Sequence, residues 1–117
     1  PGAILIVGCD AKYGFIRWLL SNGHLEDALS VYEVSQYESR EGAYAHLYTV
    51  AELTLLLTEA GCEVLEIAST PTVVDTWEQN AYSAEQWQTL KTLELKVCQV
   101  PELLGVGHHL FCVACKT

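Results

Sequence analysis

The stretch from Thr49 to Ile67 constrains the fold more than any other part of the chain, because it marks both ends of a helix and the strand after it. Thr49 and Glu52 have the spacing of a capping box, in which each side chain accepts a hydrogen bond from the other residue's backbone N–H. Leu53, Leu56 and Leu57 follow at helical spacing, and Gly61 stands where a left-handed residue ends a helix. The residues after Gly61 alternate between apolar and polar, as in a half-buried strand. This pattern predicts an αβ unit and therefore an α/β fold.

Strand patterns also open and close the chain. Ala3–Val7 is a continuous apolar run, which is typical of a parallel strand buried on both faces. We expect Gly8, Cys9 and Asp10 to end this strand. The segment His108–Cys115 is predicted as the last strand, and Cys62–Ala68 as the strand within the αβ unit.

The first half of the chain contains one clear helix and a weaker region. Tyr13–Leu20 has an amphipathic pattern that predicts a short helix, closed near Asn22 and Gly23. A helical turn is possible around Leu25–Val31. A polar segment follows around Ser35–Gly42.

A second capping box predicts another helix late in the chain. Thr70, Pro71 and Thr72 break the preceding strand, and a loop with Val73, Val74 and Trp77 leads to Ser83 and Gln86, which have the capping-box spacing. Pro101 stops the helix. Its predicted apolar stripe consists of Trp87, Leu90, Leu93 and Val97.

Size and charge exclude some classes of function. A chain of 117 residues fits a single domain, here residues 1–117, with a modest core. The formal net charge of −9 argues against nucleic acid as a partner, because that affinity rests on clustered lysine and arginine. No apolar run approaches the roughly 20 residues of a membrane helix, so no membrane partner is expected.

The five cysteines do not predict a disulfide framework. Their number is odd, and most fall in or beside predicted strands, where a free thiol packs as a small apolar group. Cys112 and Cys115 have the spacing of a redox or zinc motif. In a strand, however, side chains three residues apart point to opposite faces, so one metal ion cannot take both. A reducing, cytoplasmic location is the expectation.

Three segments together resemble class I S-adenosylmethionine-dependent methyltransferases. Pro1–Val7 is similar to that family's proline–glycine turn into its fifth strand. His46 and Tyr48 before the capped helix, with Ala60–Val64 after it, resemble the penultimate αβ unit, and Gly107–Lys116 resembles the last, antiparallel strand. The resemblance implies an α/β fold with a partial Rossmann-like sheet, made of the family's fifth, sixth and seventh strands with the last strand antiparallel.

The cofactor-binding half of that family's domain has no counterpart here. The family binds S-adenosylmethionine through a glycine-rich turn after its first strand and an acidic residue at the end of its second. Gly105-Val106-Gly107 precedes a strand rather than a helix, so it reads as an ordinary turn. The resemblance therefore implies the C-terminal portion of a methyltransferase for a small-molecule acceptor, which uses S-adenosylmethionine when intact. Alone, the chain is expected to be inactive and without cofactor.

Loss of the N-terminal half would leave one edge of the first strand without its neighbour. We therefore expect two kinds of partner at Ala3–Val7: the missing half of the domain in the intact enzyme, and a second copy of the chain in a homodimer.

The resemblance also suggests residues on the acceptor side. His46 lies between Tyr44 and Tyr48, just before the helix cap, where the family commonly points aromatic and imidazole groups toward the acceptor. Tyr13 and Trp18 follow the first strand and are candidates for the same pocket. Two alternatives stay open: His46 can hydrogen-bond the neighbouring loop, and Trp18 can be a core anchor.

Other polar residues give weaker indications. His108 and His109 are adjacent in a strand, so one is expected in solvent and the other packed. His24 is expected in a solvated turn, and Asp10 and Asp75 have no visible partner. Two other functions stay open: a non-catalytic α/β module that supports an oligomer or a partner interface, and a metal-binding protein that uses the cysteines and histidines.

Overall fold

The computed structural model describes residues 1–39, 41–74 and 80–117, so Asp75 and Trp77 lie outside the described residues. The chain is a mixed α/β protein. In chain order its elements are β1 (Ile4–Asp10), α1 (Lys12–Ser21), α2 (Leu25–Val34), β2 (Gln36–Glu38), β3 (Tyr44–His46), α3 (Val50–Glu59), β4 (Cys62–Thr70), α4 (Ala84–Val97) and β5 (His109–Lys116), with a 3₁₀ helix at Pro101–Val106.

A three-stranded sheet organises the molecule, with β5 in the middle and β1 and β4 at the edges. The last strand is antiparallel to both neighbours, so β1 and β4 run parallel to each other. The predicted antiparallel closing strand is therefore present, and its pairing extends from Ile4 opposite Cys115 to Asp10 opposite His109.

The prediction that Gly8, Cys9 and Asp10 end the first strand is wrong. These residues continue β1, because β5 offers them backbone partners as far as Asp10. Gly8 makes room for an aromatic ring in the facing strand: a Cβ atom at this position would lie 3.0 Å from the Phe111 ring. The glycine thus serves cross-strand packing and does not interrupt the strand.

One face of the sheet packs against α3. Leu53 and Leu57 of this helix lie in a buried cluster with Leu110, Cys112 and Ala114 of β5. Leu56 of the predicted apolar stripe points away from this cluster and is 49% exposed.

Both predicted ends of α3 are confirmed. The Thr49 hydroxyl accepts the Glu52 N–H at 3.1 Å, and the Glu52 carboxylate accepts the Thr49 N–H at 3.4 Å. Gly61 follows the helix with a φ of 79°, the left-handed conformation expected of it.

A second, smaller core lies between α1, α2 and a β-hairpin. Its buried residues are Leu19, Ala28, Val31 and Leu47. The helical turn predicted around Leu25–Val31 is a complete helix. No element was predicted for the polar segment Ser35–Gly42. Part of that segment forms β2, which pairs antiparallel with β3. The pairing partner lies beyond Gly42, which is why the segment alone does not reveal a strand.

The last helix, α4, is held in a different way from α3. Its capping box is present, yet none of its residues is buried. Leu93, predicted in the apolar stripe, is 42% exposed, and that prediction is wrong. The neighbouring Glu94 faces the segment after β4 instead and accepts hydrogen bonds from three consecutive backbone N–H groups, those of Thr72 at 2.6 Å and of Val73 and Val74 at 2.7 Å.

The surroundings of Glu94 change its acidity. Partial burial alone would raise its pKa, but the hydrogen bonds from Thr72, Val74 and Val73 outweigh that effect and lower the pKa below its ordinary value of 4.5. The carboxylate thus ties the end of β4 to α4.

None of the described helices has both the length and the apolar character needed to cross a membrane.

Candidate functional site

Polar side chains meet where the two parallel strands end. Asp10 is the last residue of β1, Thr70 is the last residue of β4, and His109 is the first residue of the antiparallel β5. Since β5 runs the opposite way, its beginning lies beside the ends of both neighbours. Ligands of open α/β sheets bind outside the carboxyl ends of the strands. This edge is therefore the first place to search for a site.

A cleft of about 310 Å³ lies at this edge, lined by Asp10, Phe15, Trp18, His108 and His109. The rings of Phe15 and Trp18 stack with 5.7 Å between centroids and 29° between planes. The cleft thus combines an aromatic wall from α1 with polar groups from the strand ends. Its volume is at the lower end of the range for small-molecule sites.

His109 joins the ends of the three strands. Its Nε2 atom lies 3.1 Å from Oδ1 of Asp10, and its Nδ1 atom lies 3.3 Å from the carbonyl oxygen of Thr70. Both neighbours are acceptors, and a neutral imidazole has a single N–H. A neutral ring therefore donates to one of these two acceptors, and its tautomer decides which one. Asp10, for which the sequence shows no visible partner, therefore has one in His109.

The contact between His109 and Asp10 orients groups more than it stabilises the fold. The side chains of His109 and Asp10 are 49% and 44% exposed. Exposed pairs contribute at most about 1 kcal/mol to stability, because solvent screens them and ordering the side chains costs entropy. Its main consequence is to hold the Asp10 carboxylate at the mouth of the cleft.

Close backbone packing places the aromatic wall. A Cβ atom on Gly14 of α1 would lie 1.8 Å from the carbonyl oxygen of Gly107, and one on Gly107 would lie 2.6 Å from Cβ of Ser69. The helix backbone therefore lies directly against the segment before β5. The Ala11 N–H adds a hydrogen bond of 3.1 Å to the carbonyl of His108. These contacts bring Phe15 and Trp18 beside the strand ends.

The predicted residue His46 is the last residue of β3 and contacts the first turn of α3. Its Nε2 atom is 3.2 Å from Oε2 of Glu52, and its ring meets the Tyr48 ring edge-on at 4.5 Å between centroids. Partial burial would raise the pKa of Glu52, but hydrogen bonds from His46 and Thr49 lower it. These contacts match the alternative in which His46 hydrogen-bonds its neighbouring segment.

The other predicted residues are dispersed. Trp18 is 40% exposed, so it is not a core anchor, and it lines the cleft. Tyr48 packs against the core cluster beneath the sheet, and its N–H donates to the Asp10 carbonyl at 3.0 Å. Tyr44 is 70% exposed and lines a separate hollow beside α2. Tyr13 is 43% exposed and lies next to Gly105.

Sequence reasoning missed Asp10, Phe15 and His109 as a set. The available signal was an aspartate at the end of one strand and a histidine at the start of an antiparallel one. Without the pairing register, nothing in the sequence indicates that these two residues face each other across neighbouring strands.

Neither the partly buried Cys9 nor the buried Cys112 is suited to nucleophilic chemistry. Burial raises the pKa of Cys9 to about 11, with smaller contributions from Asp10 and Cys112. Burial also raises the pKa of Cys112. The thiolate is the reactive form, so these residues pack as apolar groups. In the described parts of the chain, no three histidine, cysteine, aspartate or glutamate side chains lie close enough together to hold a metal ion.

The remaining predicted positions are surface or strand residues. His24 lies 3.9 Å from Asp27, and both side chains are more than half exposed. Cys112 is buried, whereas Cys115 is only partly buried and lies on the opposite face of the sheet, as predicted.

No protein-family model matches this chain, and no curated protein matches it.

Proposed function

We propose that the chain is the C-terminal portion of an S-adenosylmethionine-dependent methyltransferase that acts on a small molecule. The observation that carries this proposal is the position of β5, which lies antiparallel beside β1 at the end of the chain. In the family that the sequence resembles, the last strand likewise inserts antiparallel beside the fifth. The capped helix α3 and the strand β4 stand in the same chain order as that family's penultimate αβ unit.

In this proposal the described residues do not hold the cofactor itself. The glycine pair nearest the cleft, Gly105 and Gly107, leads into β5 rather than into a helix. Gly107 is packed between Ser69 and Gly14, so its backbone has no room for a nucleotide or a methionine group. S-adenosylmethionine supplies an already activated methyl group when bound, and in this proposal its contacts come from the half of the domain that precedes residue 1.

The role of this chain is then to bind and orient the acceptor. Methyl transfer depends mainly on proximity and alignment of the acceptor atom. In the cleft, Phe15 and Trp18 offer an apolar wall, and the Asp10 carboxylate offers a fixed hydrogen-bond acceptor. Such a combination holds a small molecule in one orientation.

The outer edge of β1 favours a second candidate function, a module that assembles with another chain. Among the described residues this strand pairs on one side only, and Ile4 and Ile6 are 58% and 77% exposed. Unpaired N–H and C=O groups on an apolar strand invite pairing with another strand. In the intact enzyme that neighbour is a strand of the N-terminal half. In isolation we propose a homodimer through β1.

The test uses the complete translation product of the gene. Methyl-labelled S-adenosylmethionine is incubated with it and a deproteinised cell extract, and the label in the small-molecule fraction is measured. The proposal predicts transfer, and the reading frame should encode a glycine-rich βαβ unit before Pro1. A reading frame without that unit, or a complete product that transfers no label, would leave the assembly module as the better account.

A further inference from the structure

The cleft at the strand ends has a distinctive set of groups. Asp10 supplies a carboxylate, Phe15 and Trp18 supply aromatic faces, and His108 and His109 supply imidazoles. Its lining among the described residues contains neither lysine nor arginine. Aromatic faces attract cations through their ring quadrupole, and a carboxylate adds a charge-assisted hydrogen bond. This combination recognises a positive charge carried on an apolar body.

The Asp10 carboxylate still has capacity to accept. Its Oδ1 atom takes the contact with His109 at 3.1 Å. The second carboxylate oxygen has no hydrogen bond within the part of the chain that the structure describes, and the side chain is 44% exposed. An ionised carboxylate offers about four lone-pair positions over its two oxygens. A ligand can therefore bind Asp10 without displacing His109.

His109 acts as a positioning residue in this arrangement. Both of its ring nitrogens already face acceptors, Asp10 on one side and the Thr70 carbonyl on the other. Neither nitrogen is left to contact a ligand. The ring instead fixes the direction of the Asp10 carboxylate relative to the aromatic wall.

We propose that this cleft binds a small organic cation, with its ammonium group on Asp10 and its apolar body against Phe15 and Trp18. The inference concerns binding alone. It rests on the proposed function only in identifying this ligand class with the methyl acceptor.

Three probes with the same aromatic body and different charge test the assignment: phenethylamine, phenethyl alcohol and 3-phenylpropanoate. Binding is measured by titration calorimetry or by NMR shifts of the Trp18 indole. The amine should bind at least about tenfold more tightly than the alcohol, which corresponds to about 1.4 kcal/mol. The carboxylate should bind more weakly than the alcohol. If the unmodified protein binds the amine and the alcohol equally tightly, the proposal is wrong, and no variant is needed to show it.

Substitutions locate the site. Asp10→Asn should weaken amine binding about tenfold or more and leave alcohol binding unchanged, because only the charge is removed. Asp27→Asn is the matched control, since Asp27 is an exposed aspartate outside the cleft and also lies near a histidine. It should leave both affinities unchanged. Trp18→Leu should weaken both ligands together.

The positioning role of His109 has its own readout. His109→Gln removes the ring while leaving the carboxylate charged, so the preference for amine over alcohol should persist and both affinities should fall. Loss of the preference itself would contradict the assignment of the charge to Asp10. Amine binding in a protein whose complete form transfers no methyl group would refute the methyltransferase proposal alone. Methyl transfer without charge preference in the cleft would refute this inference alone.

Discussion

The two edges of the central sheet are built differently. β4 carries exposed glutamates at Glu63 and Glu66 and has an irregular register between Val64 and Glu66. Its far end is tied to the chain after α4, where the Ser69 N–H donates to the Cys98 carbonyl at 2.8 Å. β1 has no charged residue from Ile4 to Cys9 and pairs in a regular register.

Charges, bulges and covering segments are the usual means of preventing an edge strand from pairing with another chain. β4 has all three and is built as an outer strand. β1 has none of them over most of its length, and it has the apolar sequence of an interior strand. This difference supports the proposal that the sheet continues past β1, through a parallel strand or through a second copy.

The largest loss of stability is expected for a substitution in the core beneath the sheet, where neither edge strand is involved. Leu53 is 1% exposed against β5, whereas Leu55 on the same helix is 57% exposed. Leu53→Ala should lower the free energy of unfolding by about 2–5 kcal/mol, because it leaves a cavity in the core. Leu55→Ala should change it by less than about 0.5 kcal/mol. Denaturant titration of both variants measures this, and equal losses would mean that α3 does not cover the sheet as described.

The next largest loss of stability is expected at the end of β4, which Glu94 ties to α4. Glu94→Gln removes the charge that three backbone N–H groups of residues 72–74 share. We expect a loss of about 1–2 kcal/mol, in the lower part of the range for charged hydrogen bonds, because the carboxylate is only partly buried. Glu41→Gln in the exposed turn of the β2–β3 hairpin is the control and should have no measurable effect.

The pH dependence of the Glu94 contribution has a definite sign. The folded protein lowers the pKa of Glu94 below 4.5, so its contribution is complete above that value and is lost as the pH falls through the lowered pKa. The stability difference between the parent protein and Glu94→Gln should therefore shrink in acid. A difference that grows as the pH falls would contradict the tether.

Self-association is expected at β1 and not at β4. Ile6 is 77% exposed on β1 and Leu65 is 49% exposed on β4. A lysine on an edge strand opposes strand pairing, so Ile6→Lys should weaken the dimer tenfold or more, about 1.4 kcal/mol, and Leu65→Lys should leave it unchanged. Light scattering measures both at about 100 μM protein, a concentration at which a dimer of micromolar dissociation constant is formed. A parent protein that is monomeric at this concentration would contradict self-association through β1.

The smallest effect on stability is expected at His46. His46→Ala removes an exposed pair with Glu52, which should cost less than about 1 kcal/mol. In the complete enzyme we still expect slower turnover or weaker acceptor binding with nearly unchanged cofactor affinity. Glu52→Gln is the matched variant, because it weakens the same pair while keeping the imidazole. Unchanged kinetics in His46→Ala would leave the histidine with the structural contact alone.

Elements defined by local signals were predictable from the sequence. The capping box of Thr49 and Glu52 and the glycine at 61 set both ends of α3, because all their partners lie within a few residues. The apolar run of β1 and the alternation in β4 also gave the correct element type.

Features that depend on a distant partner were not predictable. Gly8 looks like a strand end until the Phe111 ring in β5 is placed over it. Glu94 looks like a surface residue until the backbone of residues 72–74 is placed against α4. The pair of Asp10 and His109 depends on the register of β1 against β5 in the same way. Of the predicted acceptor residues, Trp18 lines the cleft. Tyr13 lies on the same helix but next to Gly105, and Tyr44, His46 and Tyr48 lie in or after the hairpin, before α3.

The most direct test of the central claim, that β1 is an interior strand of a methyltransferase sheet and the cofactor contacts lie before it, is calorimetric titration with S-adenosylmethionine. The chain of residues 1–117 should show no binding with a dissociation constant at or below about 10 μM, roughly −7 kcal/mol. The complete translation product should bind S-adenosylmethionine in that range. Tight binding by the chain alone, or none by the complete product, would contradict the account.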